Sequence, residues 1–201
     1  MKILGVDQST TNTAMVVIEF DLDSFLFEDV KVIGLEVVSP PRNMDLQSRV
    51  VYLHSSRSIQ DLVLCHEPEI MIRECHDPLA TRSHQMSMVS GIIDCQAFHN
   101  GFRFKDKNYM QVTPGEWRGI CLMDDTPQIK GKPKEFLKVF YDRFPVAKML
   151  GTVDLAEAFC MAYAVGVLTF AKKNVSYLEG LQEQQYRNII REGKFKDWTL
   201  R

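Results

Sequence analysis

Two short apolar runs in this chain each end on a carboxylate, and that pattern limits the fold more than any other feature of the 201 residues. The first is Lys2-Ile3-Leu4-Gly5-Val6-Asp7 and the second is Glu69-Ile70-Met71-Ile72-Arg73-Glu74. Runs of this length and composition read as buried strands. A carboxylate at the edge of such a run is expensive to bury without a partner. Two more acids, Asp154 and Glu157, open a long apolar helix and share one face of its first turn. Neighbouring strand ends and a helix start can converge on one point. Converging carboxylates repel unless positive charge sits between them, and two divalent cations about 4 Å apart meet that need. Asp7, Glu74, Asp154 and Glu157 are therefore the candidate catalytic and metal-ligating residues. The expected cofactor is Mg²⁺, two ions per site with Mn²⁺ able to substitute, and the expected chemistry is phosphodiester hydrolysis.

Each acid also has a plain structural reading. Asp7 can initiate a turn by capping the amides of Ser9 or Thr10. Glu74 can pair with an exposed Arg73. Acids favour helix N-termini through the macrodipole, and Thr152 can cap the helix that Asp154 and Glu157 open. The conjunction of all four favours the functional reading.

The remaining pattern supplies a sheet for these acids to meet on. Residues 2–7 and 13–20 read as strands joined by a short polar link, hence a hairpin. A third strand covers 30–38 and stops at Pro40-Pro41. Residues 45–64 carry apolar positions at helical spacing. A buried strand at 69–74, a helix over 83–100 and a strand near 108–112 follow. Thr113, Pro114 and Glu116 form a helix start with a capping box. Beyond a Gly/Pro/Lys-rich loop at 124–133, helices are expected over 133–143, 152–172 and 175–192. Three hairpin-linked strands followed by alternating helices and strands predict an α/β, ribonuclease H-like fold: a mixed five-stranded sheet flanked by helices. Residues 1–172 would form the nuclease domain and 173–201 a C-terminal helical extension.

Charge is uneven. Residues 1–100 hold 7 Lys+Arg against 14 Asp+Glu, and residues 101–201 hold 17 against 12, within a net charge of −2. Such asymmetry can set a basic surface beside an acidic site. Lys130, Lys132, Lys134 and Lys138 cluster around Gly131 and Pro133, suited to tracking phosphates without reading sequence. Five cysteines lack CxxC spacing and read as reduced core residues of a cytoplasmic protein. No uninterrupted apolar stretch approaches a membrane span. The chain opens directly on a strand-like run, so no leader is expected ahead of the fold.

On these residues the chain resembles the RuvC family of Holliday junction resolvases up to about residue 172. Ile3-Leu4-Gly5-Val6-Asp7-Gln8-Ser9-Thr10 resembles the family's opening strand with its first catalytic Asp, and Ile70-Met71-Ile72-Arg73-Glu74 the strand with its catalytic Glu. Met88-Val89-Ser90-Gly91-Ile92-Ile93 resembles the helix through which members dimerise. Val112-Thr113-Pro114 and the Lys130–Lys138 stretch resemble the last strand and the basic loop-helix that touches DNA. Asp154-Leu155-Ala156-Glu157-Ala158 resembles the closing acidic pair. The resemblance implies a Mg²⁺-dependent endonuclease, a homodimer that resolves four-way junctions by paired symmetric nicks. It also implies DNA contacts through Arg118 and Lys134, with no small-molecule cofactor and no membrane partner.

The chain departs from the family at Glu157, where Asp is usual, and at Gln8, where Pro is common. Asp77 stands where bacterial members place a base-stacking aromatic, for which His76 and Tyr109 are the alternatives. The compact size resembles phage-encoded members, which would work in a bacterial host's cytoplasm. A related nuclease acting on flaps, other branched DNA or RNA–DNA hybrids carries the same acids. Val6-Asp7-Gln8-Ser9-Thr10-Thr11 also resembles the first phosphate loop of sugar kinases and actin-like ATPases. Those proteins need a second such domain and a second Gly-rich loop.

Overall fold

The structure, a computed structural model, describes residues 1–9, 11–23, 30–75, 83–121 and 132–173. Strand β1 (Lys2–Gln8) pairs antiparallel with β2 (Thr13–Glu19), in register from Lys2 opposite Glu19 to Gln8 opposite Thr13. The link closes on Ser9, whose amide donates to the Asn12 carbonyl at 2.9 Å. Its hydroxyl accepts from the amides of Thr11 and Asn12. Strand β3 (Lys31–Val38) lies antiparallel outside β2, with a register shift between Val17 and Ile18. Strands β4 (Ile70–Glu74) and β5 (Tyr109–Val112) continue on the other side of β1, each parallel to its neighbour. The sheet order is β3-β2-β1-β4-β5. This is the predicted mixed five-stranded α/β sheet.

Alternation along the strands divides the core in two. Ile3, Ala14, Val16, Ile18 and Ile72 face one way. They pack under α4 (Pro114–Cys121), α5 (Pro133–Arg143) and α6 (Val153–Lys173). Leu4, Val6, Met15, Val17 and Met71 face the other way. They meet α1 (Leu46–Ser55), α2 (Ser58–His66) and α3 (Ser83–His99).

One contact sets how closely α6 lies on the sheet. At Gly5 a Cβ would stand 2.0 Å from the Ala158 carbonyl oxygen. Only glycine allows that approach. The start of α6 is fixed by Thr152, whose hydroxyl accepts from the Leu155 amide at 3.3 Å.

Several expectations change. The helical pattern over 45–64 is two helices, because the Ser56 backbone is extended and its hydroxyl accepts from the Ser58 amide. Serines in this stretch offer the backbone a partner outside the helix. A 3₁₀ turn at Pro145–Ala147 was not legible in the periodicity. Cys121 and Cys160 are buried as expected, but Cys65 and Cys95 are exposed, on the outer faces of α2 and α3. α6 does reach membrane-span length and apolarity, with mean hydropathy 1.6 over Val153–Phe170. Its apolarity is accounted for by the sheet and helices that bury 78% of that window. The expected helix over 175–192, Lys130 and most of the 124–133 loop lie outside the described residues.

Candidate active site

Parallel pairing of β1 with β4 sets their C-terminal ends side by side. Val6 is opposite Arg73, so Asp7 and Glu74 are the next residue on each strand. Period-two alternation turns both onto the face that carries Gly5 and Ile72, under α6. The close approach of Ala158 to Gly5 brings the first turn of α6, with Glu157, over the same spot. One ligand oxygen from each of Asp7, Glu74 and Glu157 lies within 4.8 Å of the other two. This edge, at the C-terminal ends of parallel strands, is where open α/β sheets hold their ligands.

Asp154 stands beside this trio rather than in it. Its carboxylate accepts a short hydrogen bond from the Asn12 side-chain amide in the hairpin link. Its charge still reaches the cluster, raising the proton affinity of both Asp7 and Glu157.

The electrostatics are those of crowded, poorly hydrated anions. Asp7 is 8% exposed. Burial pushes its carboxyl well above the usual range, aided by the charges of Glu157, Glu74 and Asp154 and opposed by Arg118. Glu74 is pushed up to about 7, first by burial and then by Glu157, against the Trp117 hydrogen bond and Arg118. Burial also raises Glu157, with Arg118 opposing. Perturbed acids of this kind concentrate at functional sites.

Two residues of α4 answer the acids. The Trp117 indole Nε1 donates to Glu74 Oε2 at 3.3 Å, and Arg118 Nη2 donates to Glu157 Oε1 at 2.8 Å. The Arg118 guanidinium also lies 4.7 Å from the Trp117 ring centroid. Arg118, expected among the DNA contacts, is therefore part of the acidic site. Lys132, Lys134 and Lys138 are exposed. Lys134 and Lys138 stand four apart on α5, whose Phe136 packs edge-on against Trp117 with centroids 6.2 Å apart.

On the opposite face of the sheet a polar network holds the end of β4. Arg73, expected to be exposed, is 4% exposed. It binds Asp94 of α3 through two nitrogens, at 2.7 and 3.0 Å. Its Nη1 donates to the Glu74 carbonyl at 2.9 Å, and Gln8 Nε2 donates to the same carbonyl at 3.0 Å and to Ser90 at 2.8 Å. Tyr109 is wholly buried and hydrogen-bonded to Asp94 and Arg73, which removes it as a base-stacking wedge. His76 and Asp77 lie outside the described residues.

Sequence reasoning missed Trp117, Asn12, Gln8, Ser90 and Asp94. Only Trp117 gave a signal: it directly follows Glu116, which accepts from the Thr113 amide and hydroxyl at 2.8 Å as a capping residue should. The capping box fixes where α4 starts and hence which way Trp117 and Arg118 point.

The donor set suits a hard cation, being all carboxylate oxygen. Oxygens around one Mg²⁺ at about 2.1 Å lie within about 4.2 Å of each other. Shifts of a few tenths of an ångström bring the trio to that spacing. Asp7, Glu74 and Glu157 could hold one ion.

No protein-family model matches the chain. A trigger factor of Deinococcus deserti is 29% identical over 108 residues, which is 52% of this chain. The chain spans about a fifth (22%) of the length of that curated relative. Among solved structures, Thermus thermophilus RuvC superposes with a TM-score of 0.63 at 15% identity, covering 86% of this chain and 96% of that one. T. thermophilus RuvC in complex with a Holliday junction substrate gives 0.62 at 14% identity, with the same coverage. At these identities the likeness is one of fold, and it identifies the sheet and its helices as a RuvC-type, ribonuclease H-like arrangement.

Proposed function

We propose that this chain is a divalent-cation-dependent endonuclease that resolves four-way DNA junctions by paired nicks. The observation that carries the reading is the convergence of Asp7, Glu74 and Glu157 within 4.8 Å at the C-terminal edge of the parallel strands, in a fold that superposes on RuvC. Hard divalent cations held there would supply charge neutralisation for the scissile phosphate and acidity to the attacking water. The protein's own residues do the rest. Trp117 fixes the Glu74 carboxylate, Asn12 fixes Asp154, and the Arg73 and Gln8 hydrogen bonds lock the backbone carrying Glu74. Lys132, Lys134 and Lys138, with the neighbouring Lys130, would carry the DNA backbone up to the acids.

A symmetric junction needs two matched cuts, and a two-fold dimer supplies two sites. α3 is the proposed interface. Gly91, Cys95 and His99 are exposed along it, four residues apart, with Ile92 half-buried between them. Uncompensated acids repel phosphate, so charge removal at Asp7 should strengthen DNA binding while abolishing cutting.

The test is nicking in Mg²⁺ on a mobile four-way junction, a flap, a plain duplex and an RNA–DNA hybrid. Symmetric cuts near the crossover, lost in Asp7→Asn, are the expected result. Preference for the flap or hybrid would redirect the substrate assignment. Wild-type cutting by Asp7→Asn would end the catalytic assignment itself.

A further inference from the structure

We propose that Arg118 is a built-in counter-ion which the divalent cation displaces, and that the released guanidinium then serves DNA phosphate. The proposal rests on the nuclease reading above and assigns that site an order of events. Adjacent residues of α4 reach two glutamates on different elements: Trp117 touches Glu74 on β4, and Arg118 touches Glu157 on α6. Arg118 also stabilises the ionised forms of Asp7 and Glu74, so its charge acts on the whole trio. It therefore does in the metal-free protein what a cation would do in the loaded one.

The two cannot fully coexist. A cation drawing the three carboxylates together competes for the Glu157 carboxylate, whose Oε1 Arg118 holds at 2.8 Å. It also adds positive charge beside the Arg118 guanidinium. The pair is not sealed in: the side chains of Arg118 and Glu157 are 28% and 18% exposed. A guanidinium is weakly hydrated and suits phosphate geometry, so the phosphate that a loaded site attracts is a natural second partner. Cation and DNA should thus bind with positive coupling through one side chain.

The experiment uses the full chain with Trp198→Phe, which leaves Trp117 as the single tryptophan, with and without Arg118→Gln. Mn²⁺ affinity is read by electron paramagnetic resonance of the free ion. Trp117 emission is read during Mg²⁺ titration, because Arg118 stacks on that ring. Removing the competing ion pair should tighten Mn²⁺ binding about tenfold, or 1.4 kcal/mol. Mg²⁺ should change Trp117 emission where Arg118 is present, and much less in Arg118→Gln. Mg²⁺ should also raise junction affinity less in Arg118→Gln than in its parent.

Equal Mn²⁺ affinity with and without Arg118 would overturn the exchange while leaving the nuclease reading standing. So would an emission change that survives Arg118→Gln. Absence of Mn²⁺ binding by either protein would sink both. Should Arg118→Gln fail to fold, Arg118→Lys keeps the charge but loses the planar stack and fork. It should show tighter Mn²⁺ binding and a smaller emission change, and parental values for both would refute the exchange.

Discussion

The sharpest prediction concerns Gly5→Ala, a single methyl placed where strand and helix backbones meet. The added Cβ would lie 2.0 Å from the Ala158 carbonyl oxygen, whereas ordinary contact begins at 3.4 Å. α6 must therefore move from β1 by roughly 1.4 Å, the difference of those distances. Both atoms belong to backbone, so no rotamer change relieves the clash. Overpacking of this kind costs about 1–3 kcal/mol, and a backbone-on-backbone clash belongs at the upper end. The functional cost is separable from the energetic one. Ala158 follows Glu157 directly, so the displacement carries a candidate ligand away from Asp7 and Glu74. A 1 Å misplacement of reacting groups costs on the order of 100-fold in rate. Urea unfolding should show a loss of about 3 kcal/mol. Single-turnover nicking of a four-way junction at a temperature where the variant is folded should slow by about 100-fold. Junction affinity should change little. A variant as stable as wild type, or cutting at the wild-type rate, would refute the claim that this contact sets the site.

Three further outcomes follow from the same geometry. The metal-free protein should lose stability as pH rises. Glu74 ionises near 7 in the fold against 4.5 ordinarily, so below about 4.5 it is protonated in both states and costs nothing. Between 4.5 and 7 the unfolded chain has released a proton that the folded chain keeps, and about 3 kcal/mol is lost across that window. Thermal melts in chelator should therefore fall from pH 5 to 8, with Mg²⁺ restoring more at pH 8; a melting temperature that climbs with pH would contradict this. Asp94→Ala leaves the Arg73 guanidinium buried without its carboxylate and should cost about 3 kcal/mol in urea unfolding, most of it recovered when Arg73→Met is added. Gly119 lies inside α4 with nothing within 4 Å of a built Cβ, so Gly119→Ala should gain about 0.5–1 kcal/mol in the same assay.

The sheet was legible because its signals are local. Strand period, hairpin link and helix capping each occupy a few consecutive residues, and β1, β2, β4, β5 and α4 lie close to where those signals put them. Asp7 and Glu74 were legible because a carboxylate ending an apolar run conflicts with burial, and Glu157 because it opens an apolar helix. What stayed hidden depends on side-chain direction. Nothing local says that Arg73 turns to Asp94, 21 residues away, rather than to the adjacent Glu74. Nothing local says that Arg118 folds inward onto Glu157, 39 residues on, rather than outward with the lysines. Asp154 and Glu157, three apart, were read as equivalent, yet the hairpin link supplies an amide only to Asp154.

The structural alternatives for Asp7 and Glu74 have been filled by other residues. Closing the β1–β2 link, the turn-forming task open to Asp7, falls to Ser9. Pairing with Arg73, the task open to Glu74, falls to Asp94. Capping α6 falls to Thr152, and the macrodipole remains a structural role for Asp154 in the first turn. The Trp117 hydrogen bond to Glu74 and the Arg118 pair with Glu157 offset the crowding of the three acids only in part, and burial still raises all of them, which lowers the stability of the fold at neutral pH. A cluster of acids whose partners leave a net energetic penalty is better explained by a ligand that removes the penalty than by the fold itself. Carboxylate oxygens suit a hard cation, and the Gly5 contact makes the position of the helix turn that carries Glu157 a property of the backbone.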